Sequence, residues 1–281
     1  MKTTDDGEKS SVAPPVIDDS VPRFLSVPGW ERHRSWLWHG FSTRQRGVSR
    51  VYLANAEDGQ GELNLGFTAA DSAENIRENR RRFVRAVTGS GETPLRVVRQ
   101  VHSNRSLVID PNAEAIPEAD GLMTSQPGIL LGIQTADCVP VLVADPVGRV
   151  VAAFHAGWRG TVTRIVELGI AQMRQELGSE PADLVAGIGP AVGECCYAVG
   201  PEVQGRFKDE FAYAANLFTE TEPGQKLNLI EANRRQLLAA GVRAESIAIA
   251  GGCTSCQTEL YYSHRASGGH AGRMMAVIGI R

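Results

Sequence analysis

Three side chains in this sequence could hold a metal ion between them: His102, Cys138 and His155. Cys138 and His155 fall in the apolar stretch Ile129 to Gly160, where the Val-rich runs Val139 to Ala144 and Val150 to Phe154 read as buried strands. Between the runs lies Asp145-Pro146-Val147-Gly148, whose Asp, Pro and Gly occupy the positions that favour a type I turn, so an antiparallel hairpin is expected. Pairing Asp145 with Gly148 sets Cys138 opposite His155 on one face, with Cβ atoms about 4.5–5.5 Å apart. That separation suits two ligands of one ion, with metal–sulfur and metal–nitrogen bonds of about 2.3 and 2.0 Å. A three-residue loop would shift this register by one position.

His102 closes the strand expected over Arg96 to Val101, and a lone histidine there is ordinarily structural. With Cys138 and His155 nearby it completes a set of two imidazoles and one thiolate. Such a set suits tetrahedral zinc with the fourth position open, an arrangement that lowers the pKa of bound water to about 7. Copper is the alternative metal. A multicopper phenol oxidase is disfavoured, because the chain has six histidines and only His102 and His155 fall where ligands are needed. Two further readings use the same residues: a cysteine hydrolase with Cys138 as nucleophile and His155 as base, and a non-catalytic zinc protein that binds partners. Asp137, beside Cys138, is the candidate for proton transfer, its alternative role being to hydrogen-bond the turn.

The supporting elements follow in order. Trp30, Trp36, Trp38 and Phe41 read as strand residues packing a core, and Arg44 to Ser49 as a loop able to grip an anion. Leu63-Asn64-Leu65-Gly66 resembles a strand end. Asp71-Ser72-Ala73-Glu74 reads as a capping box in which Asp71 caps a helix running to about Val87, with Ile76, Phe83, Val84 and Val87 inward and Gly89 closing it. Leu107 to Ile109 is a strand. After His155, Gly157-Trp158-Arg159-Gly160 precedes a helix expected from a Thr161 cap to Leu177, where exposed backbone N–H groups and Arg159 would suit phosphate. Strands are expected over Leu184–Ile188, Ile247–Ala250 and Met275–Ile280, and helices over Pro201–Ala215 and Leu229–Ala240. The polar segment Tyr261 to Arg273 is expected to close one side of a pocket.

Apolar and charged fractions of 42% and 22% are those of an ordinary soluble protein. The net charge of −3 lacks the basic excess that a nucleic-acid partner requires, and no segment reads as a membrane span. Residues 1–20 are polar without an apolar signal core, which points to a disordered lead-in ahead of one domain over 21–281, located in the cytoplasm. Five cysteines in a chain with no export signal are expected as reduced thiols. Adjacent Cys195 and Cys196 cannot bridge each other without strain and read as packed thiols. Cys253-Thr254-Ser255-Cys256 would need a second cysteine pair to be a zinc site.

The blocks Gln100-Val101-His102-Ser103, Thr135-Ala136-Asp137-Cys138-Val139-Pro140-Val141-Leu142, His155-Ala156-Gly157-Trp158-Arg159-Gly160, Gly189-Pro190 with Cys196-Tyr197, and Ser263-His264-Arg265 to Gly272-Arg273 resemble the laccase-domain family, whose members are viewed as purine nucleoside phosphorylases. The likeness spans about residues 23 to 281. It implies an α+β fold, a single αββα layered domain of mixed β-sheets flanked by helices. It implies zinc held by His102, Cys138 and His155, and phosphorolysis of adenosine, inosine and methylthioadenosine by inorganic phosphate with some adenosine deamination. Arg44, Asn64 and Arg159 are the expected substrate- and phosphate-binding residues, with Asp137 and Arg159 catalytic, in a monomer or small homo-oligomer. The family's arginine loop usually continues Gly-Gly where this chain has Arg46-Gly47, and its late loop usually reads Tyr-Arg-Arg-Asp where this one has His264-Arg265-Ala266-Ser267.

Overall fold

Alternation along the central strands sends Val139, Val141 and Val143 to one side of a sheet and Leu142 and Ala144 to the other, and both sides are buried. That is why these strands read as continuous apolar runs rather than alternating ones. A computed structural model describes residues 21–53, 61–110, 116–222 and 224–281; the lead-in expected over residues 1–20 lies outside them. The strand Val139–Asp145 belongs to a six-stranded sheet ordered Ile247–Ile249, Val185–Ile188, Val139–Asp145, Val150–Ala156, Gly121–Thr124, Ser106–Val108, antiparallel at its centre and parallel at both edge pairs. A five-stranded sheet runs Phe24–Leu25, Leu37–Ser42, Met274–Ile280, Leu130–Thr135, Leu95–Val97, with only the last pair parallel.

The two sheets bury one core between them, in which Leu37, Phe41, Leu131, Ile133 and Ile278 meet Leu142, Ala144, Val151 and Ala153. Helix α1, Ala73–Thr88, covers the outer face of the five-stranded sheet by packing Phe83 and Val84 against Leu130, Met275 and Val277. Helices α2 (Trp158–Val162), α3 (Ile165–Leu177), α4 (Pro201–Glu210) and α5 (Leu229–Ala239) follow, and α3 and α5 cover the other sheet through Ile165, Val166, Ile170, Leu229 and Leu237. Helix, sheet, sheet and helix therefore stack as the α+β reading anticipates. Burying each such side chain is worth about 1.5–3 kcal/mol. Among the described residues no helix is long and apolar enough to cross a membrane.

Several local expectations are corrected. The hairpin is antiparallel, but Asp145 pairs with Val150 and His155 with Pro140, a shift of two positions. Asp145 Oδ1 accepts from the amides of both Val147 and Gly148 at 2.8 Å, which fixes a four-residue loop with Arg149 at φ 55°. Ser72, not Asp71, caps α1 by accepting from the Asn75 amide at 3.1 Å, while Asp71 Oδ1 accepts from the Ser72 amide. The helix expected from Thr161 starts at Trp158 and breaks at Arg164, which adopts φ 63° before α3. Trp30 is buried in a single 3-10 turn, Trp30–His33, rather than a strand. The segment after Ala198 also forms a small sheet, including the hairpin Phe218–Thr221 and Gly224–Leu227, that the sequence reading did not anticipate.

Candidate metal centre and active site

Cys138 lies one residue before the strand Val139–Asp145, and His155 lies one residue before the end of its partner. Because side chains alternate with a period of two, a register shift of two keeps both on one face, whereas a shift of one would have separated them. His102 arrives from the other direction, at φ 60°, beyond the strand Leu95–Val97. The ring nitrogens of the two histidines and the Cys138 sulfur offer donor atoms within 4.8 Å of one another. The imidazole rings stand edge-on, with centroids 5.0 Å apart. Gly157 makes this convergence sterically feasible: a Cβ there would lie 3.0 Å from Cys138 Sγ and 3.1 Å from His102 Cδ2.

One carboxylate positions both histidines. Asp120, buried, accepts from His155 Nδ1 at 2.8 Å and from the His102 amide at 3.0 Å through Oδ1. Through Oδ2 it accepts from the Val101 amide, the Ser103 amide and the Ser103 hydroxyl, at 3.2, 2.7 and 2.8 Å. These bonds hold the strained left-handed backbone at His102, a conformation that costs of order 1–3 kcal/mol. Burial pushes the Asp120 carboxyl up, but bonds from His155 and Ser103 outweigh it and hold it at about 2. An ionised Asp120 makes His155 Nδ1 the donor, and although burial pushes the imidazole down, Cys138 and Asp120 outweigh it and bring it up to about 9, so a metal ion at Nε2 would take the place of a proton. A carboxylate orienting a histidine in this way is the usual outer support of a metal ligand. Burial likewise pushes the Cys138 thiol up, yet neighbouring His155 and His102 bring it down to about 6.

The donors open on a cavity of about 450 Å³ whose wall includes Arg99, Gln100, Gln134, His264 and Arg273. The volume falls in the range of small-molecule sites. Gln100 acts as a short extra strand segment: its Nε2 donates to the Gln134 carbonyl at 2.8 Å and its Oε1 accepts from the Gln134 amide at 2.7 Å. Arg273 is anchored by Asn64 Oδ1, which accepts from the Arg273 amide at 2.9 Å, and by its own Nη1 donating to the carbonyls of Ala271 and Gly272. A Cβ at Gly66 would lie 2.5 Å from Arg273 Cγ, so the glycine keeps space for that side chain. The polar segment ending at Arg273 thus closes a side of the cavity, through His264 and Arg273.

The other expected site residues lie elsewhere. Asp137, at φ 88°, accepts from the Thr254 hydroxyl through Oδ1 and from the Arg265 amide through Oδ2, both at 2.6 Å, so its carboxylate ties loops together rather than facing the cavity. Arg44 bonds Glu62 and the carbonyls of Thr258 and Tyr52, stacks over Tyr262, and lines a separate cavity of about 220 Å³ with Ser263 and His270. Asn64 is fully buried and its amide group is engaged by Gly66, Asp71 and Arg273. Arg159 is exposed and stacks over Trp158 at 4.5 Å. Sequence reasoning missed Asp120, Gln100 and Gln134. Asp120-Gly121 reads as an ordinary turn, and only the five amide and side-chain donors around it reveal its role.

Comparison with known proteins gives these folds and residues a context. The family model described as multi-copper polyphenol oxidoreductase laccase matches residues 38–281. A purine nucleoside phosphorylase, YlmD, from Geobacillus stearothermophilus is 36% identical over 264 residues, covering 88% of this chain and 95% of the relative. An adenosine deaminase, RL5, from an unknown prokaryotic organism is 36% identical over 171 residues, 60% of this chain and 65% of the relative. The crystal structure of the Bacillus licheniformis hypothetical protein YfiH superposes with a TM-score of 0.84 at 31% identity, covering 93% of this chain and 97% of that one. The chain therefore belongs to the family of enzymes described as multi-copper polyphenol oxidoreductase laccases, relatives of which carry the names purine nucleoside phosphorylase and adenosine deaminase.

Proposed function

We propose that this chain is a zinc-dependent purine nucleoside phosphorylase, acting on adenosine, inosine and methylthioadenosine with inorganic phosphate, and deaminating adenosine as a second activity. The observation that carries the reading is the convergence of one thiol and two imidazoles on the floor of a nucleoside-sized cavity. One sulfur and two ring nitrogens suit a divalent ion of borderline softness, with His102, Cys138 and His155 as its ligands and Asp120 behind both histidines. The bound ion supplies Lewis acidity towards the substrate.

The chain's own residues account for binding and proton movement. Arg273 is the cation we assign to phosphate, since it lines the cavity with its backbone locked by Asn64. Gln100 and Gln134 offer the polar edges that a purine requires. Phosphate oxygen forms the new bond to the anomeric carbon as the bond from that carbon to the purine nitrogen breaks. The electron pair leaves on the purine, and His264 is the group we assign to protonate it. In deamination water adds at C6 and ammonia leaves. Asp137 is here a positioning residue for the loops at Thr254 and Arg265, and Arg44 belongs to the neighbouring cavity.

The test is phosphate-dependent release of free base from the three nucleosides, with zinc counted by elemental analysis. Base release that needs phosphate and disappears with the metal on chelation is expected. Full activity after complete metal removal would overturn the metal reading. A cysteine hydrolase remains the second reading, on one observation: the lowered Cys138 thiol beside His155. Inactivation by a thiol alkylator equally fast with and without zinc would favour it over the first. Replacement of zinc by copper with gain of phenol oxidation would favour the oxidase description instead.

A further inference from the structure

Outside this cavity, four cysteines converge at the protein surface. The parallel strands Val185–Ile188 and Ile247–Ile249 are neighbours, so the loops leaving their ends travel side by side. Ala191 and Cys253 form a further parallel bridge, and the Thr254 amide donates to the Ala191 carbonyl at 3.0 Å. This pairing brings Cys195 and Cys196 onto Cys253 and Cys256, although 56 residues separate Cys196 from Cys253. All four sulfurs lie within 4.8 Å of one another, and Cys256 Sγ is 3.5 Å from Cys195 Sγ and 3.3 Å from Cys196 Sγ.

These separations match one geometry better than any other. Bonds of about 2.3 Å from a tetrahedral zinc put its ligand sulfurs about 3.8 Å apart, inside the spread seen here. A disulfide needs sulfurs about 2.05 Å apart, and all four cysteines are free thiols. A second, independent observation concerns the sulfur environment. The Gly193 amide donates to Cys253 Sγ at 3.2 Å, a bond that favours the thiolate, the form that binds metal. The sequence reading required a second cysteine pair before Cys253-Thr254-Ser255-Cys256 could hold zinc. The vicinal pair supplies it.

We propose that Cys195, Cys196, Cys253 and Cys256 form a second metal site that holds one zinc ion through four thiolates. Binding forms four zinc–sulfur bonds and releases to solvent the protons of whichever thiols were protonated. With four protein ligands it is closed to substrate, so its role is structural: it pins the loop after Val185–Ile188 to the loop after Ile247–Ile249. Those loops carry Tyr197 and Thr254, and the Thr254 hydroxyl donates to Asp137, the residue next to Cys138. The clamp therefore steadies the wall behind the first cluster without touching substrate.

The experiment is metal counting on the full-length protein purified under reducing conditions. Two zinc ions per chain are expected, falling to one in Cys256→Ser and, independently, to one in Cys138→Ser. A cobalt-substituted Cys138→Ser protein is expected to keep the intense ligand-field and sulfur-to-metal bands of a four-thiolate site. A single zinc that Cys138→Ser removes and Cys256→Ser leaves in place would overturn the proposal and leave the first site standing. So would iron or copper in place of zinc at the four cysteines. Should Cys256→Ser fail to fold, alkylation of the native wild type decides: Cys195 and Cys256 are exposed, so slow modification that accelerates on zinc removal supports the site, and immediate modification of both refutes it.

Discussion

The two cysteine-bearing clusters differ in almost every physical respect except the closeness of their donors. His102, Cys138 and His155 sit at strand ends, on the floor of a cavity, with a buried carboxylate fixing both rings. Cys195, Cys196, Cys253 and Cys256 sit on two surface loops, with the Gly193 backbone amide as outer support. Three donors of mixed type leave room for a substrate, whereas four sulfurs leave none. The contrast teaches that the number of donors and the stiffness of what holds them separate a reactive metal from a bracing one.

The largest effect expected from breaking this contrast is at Cys138. Cys138→Ser, or removal of metal by a chelator, is expected to lower kcat/KM for adenosine phosphorolysis by at least about 10³-fold, since losing several kcal/mol of transition-state stabilisation costs a factor of ten per 1.36 kcal/mol. Steady-state kinetics with zinc analysis checks it. A loss under tenfold would mean the first cluster is not the reactive one.

Next comes the carboxylate behind the first cluster. Asp120→Asn keeps an acceptor near the amides of residues 101–103 but removes the charge that orients His155, and a 10–100-fold loss of zinc affinity or activity is expected. Competition with a zinc chromophore measures the affinity. The distinguishing readout is that metal at the four cysteines stays bound; loss of both ions together would mean Asp120 supports the fold at large.

Cys256→Ser reverses the pattern. One zinc is expected to leave, the melting temperature to fall by about 3–7 °C for a lost constraint of about 2–4 kcal/mol in a chain of this size, and kcat to fall only a few-fold. Calorimetry and kinetics on the same sample read both. A collapse of activity with an unchanged melting temperature would reassign catalysis to the surface cluster.

How much of this was legible in the sequence depended on the range of the physics involved. The face shared by Cys138 and His155 follows from strand periodicity, which tolerates the two-residue register error, so a local rule sufficed. Helix ends at Gly89 and Gly178 were legible for the same reason. The meeting of Cys195 and Cys196 with Cys253 and Cys256 depends on a parallel pairing between distant strands, which no local pattern encodes. Arg44 and Asn64 show the converse: their types suit phosphate or substrate, but an ion pair with Glu62 and a hydrogen-bonded anchor for Arg273 claim them. Asp120 was illegible because its worth lies in the donors that surround it.

The smallest effect, and the one that sharpens the comparison most, concerns the bond joining the two clusters. Thr254 lies between the ligands Cys253 and Cys256, and its hydroxyl is 2.6 Å from Asp137 Oδ1. Thr254→Val keeps the shape but leaves a buried carboxylate oxygen without that donor, a cost of about 1–3 kcal/mol. The remaining bond from the Arg265 amide to Oδ2 limits the disturbance. If the surface clamp acts on the cavity through this contact, Thr254→Val lowers kcat by a few-fold while both zinc ions stay bound. Combining it with Cys256→Ser then adds little further loss of activity, because the two changes interrupt one connection. Fully multiplicative losses in the double variant would show that the clusters act on the enzyme independently.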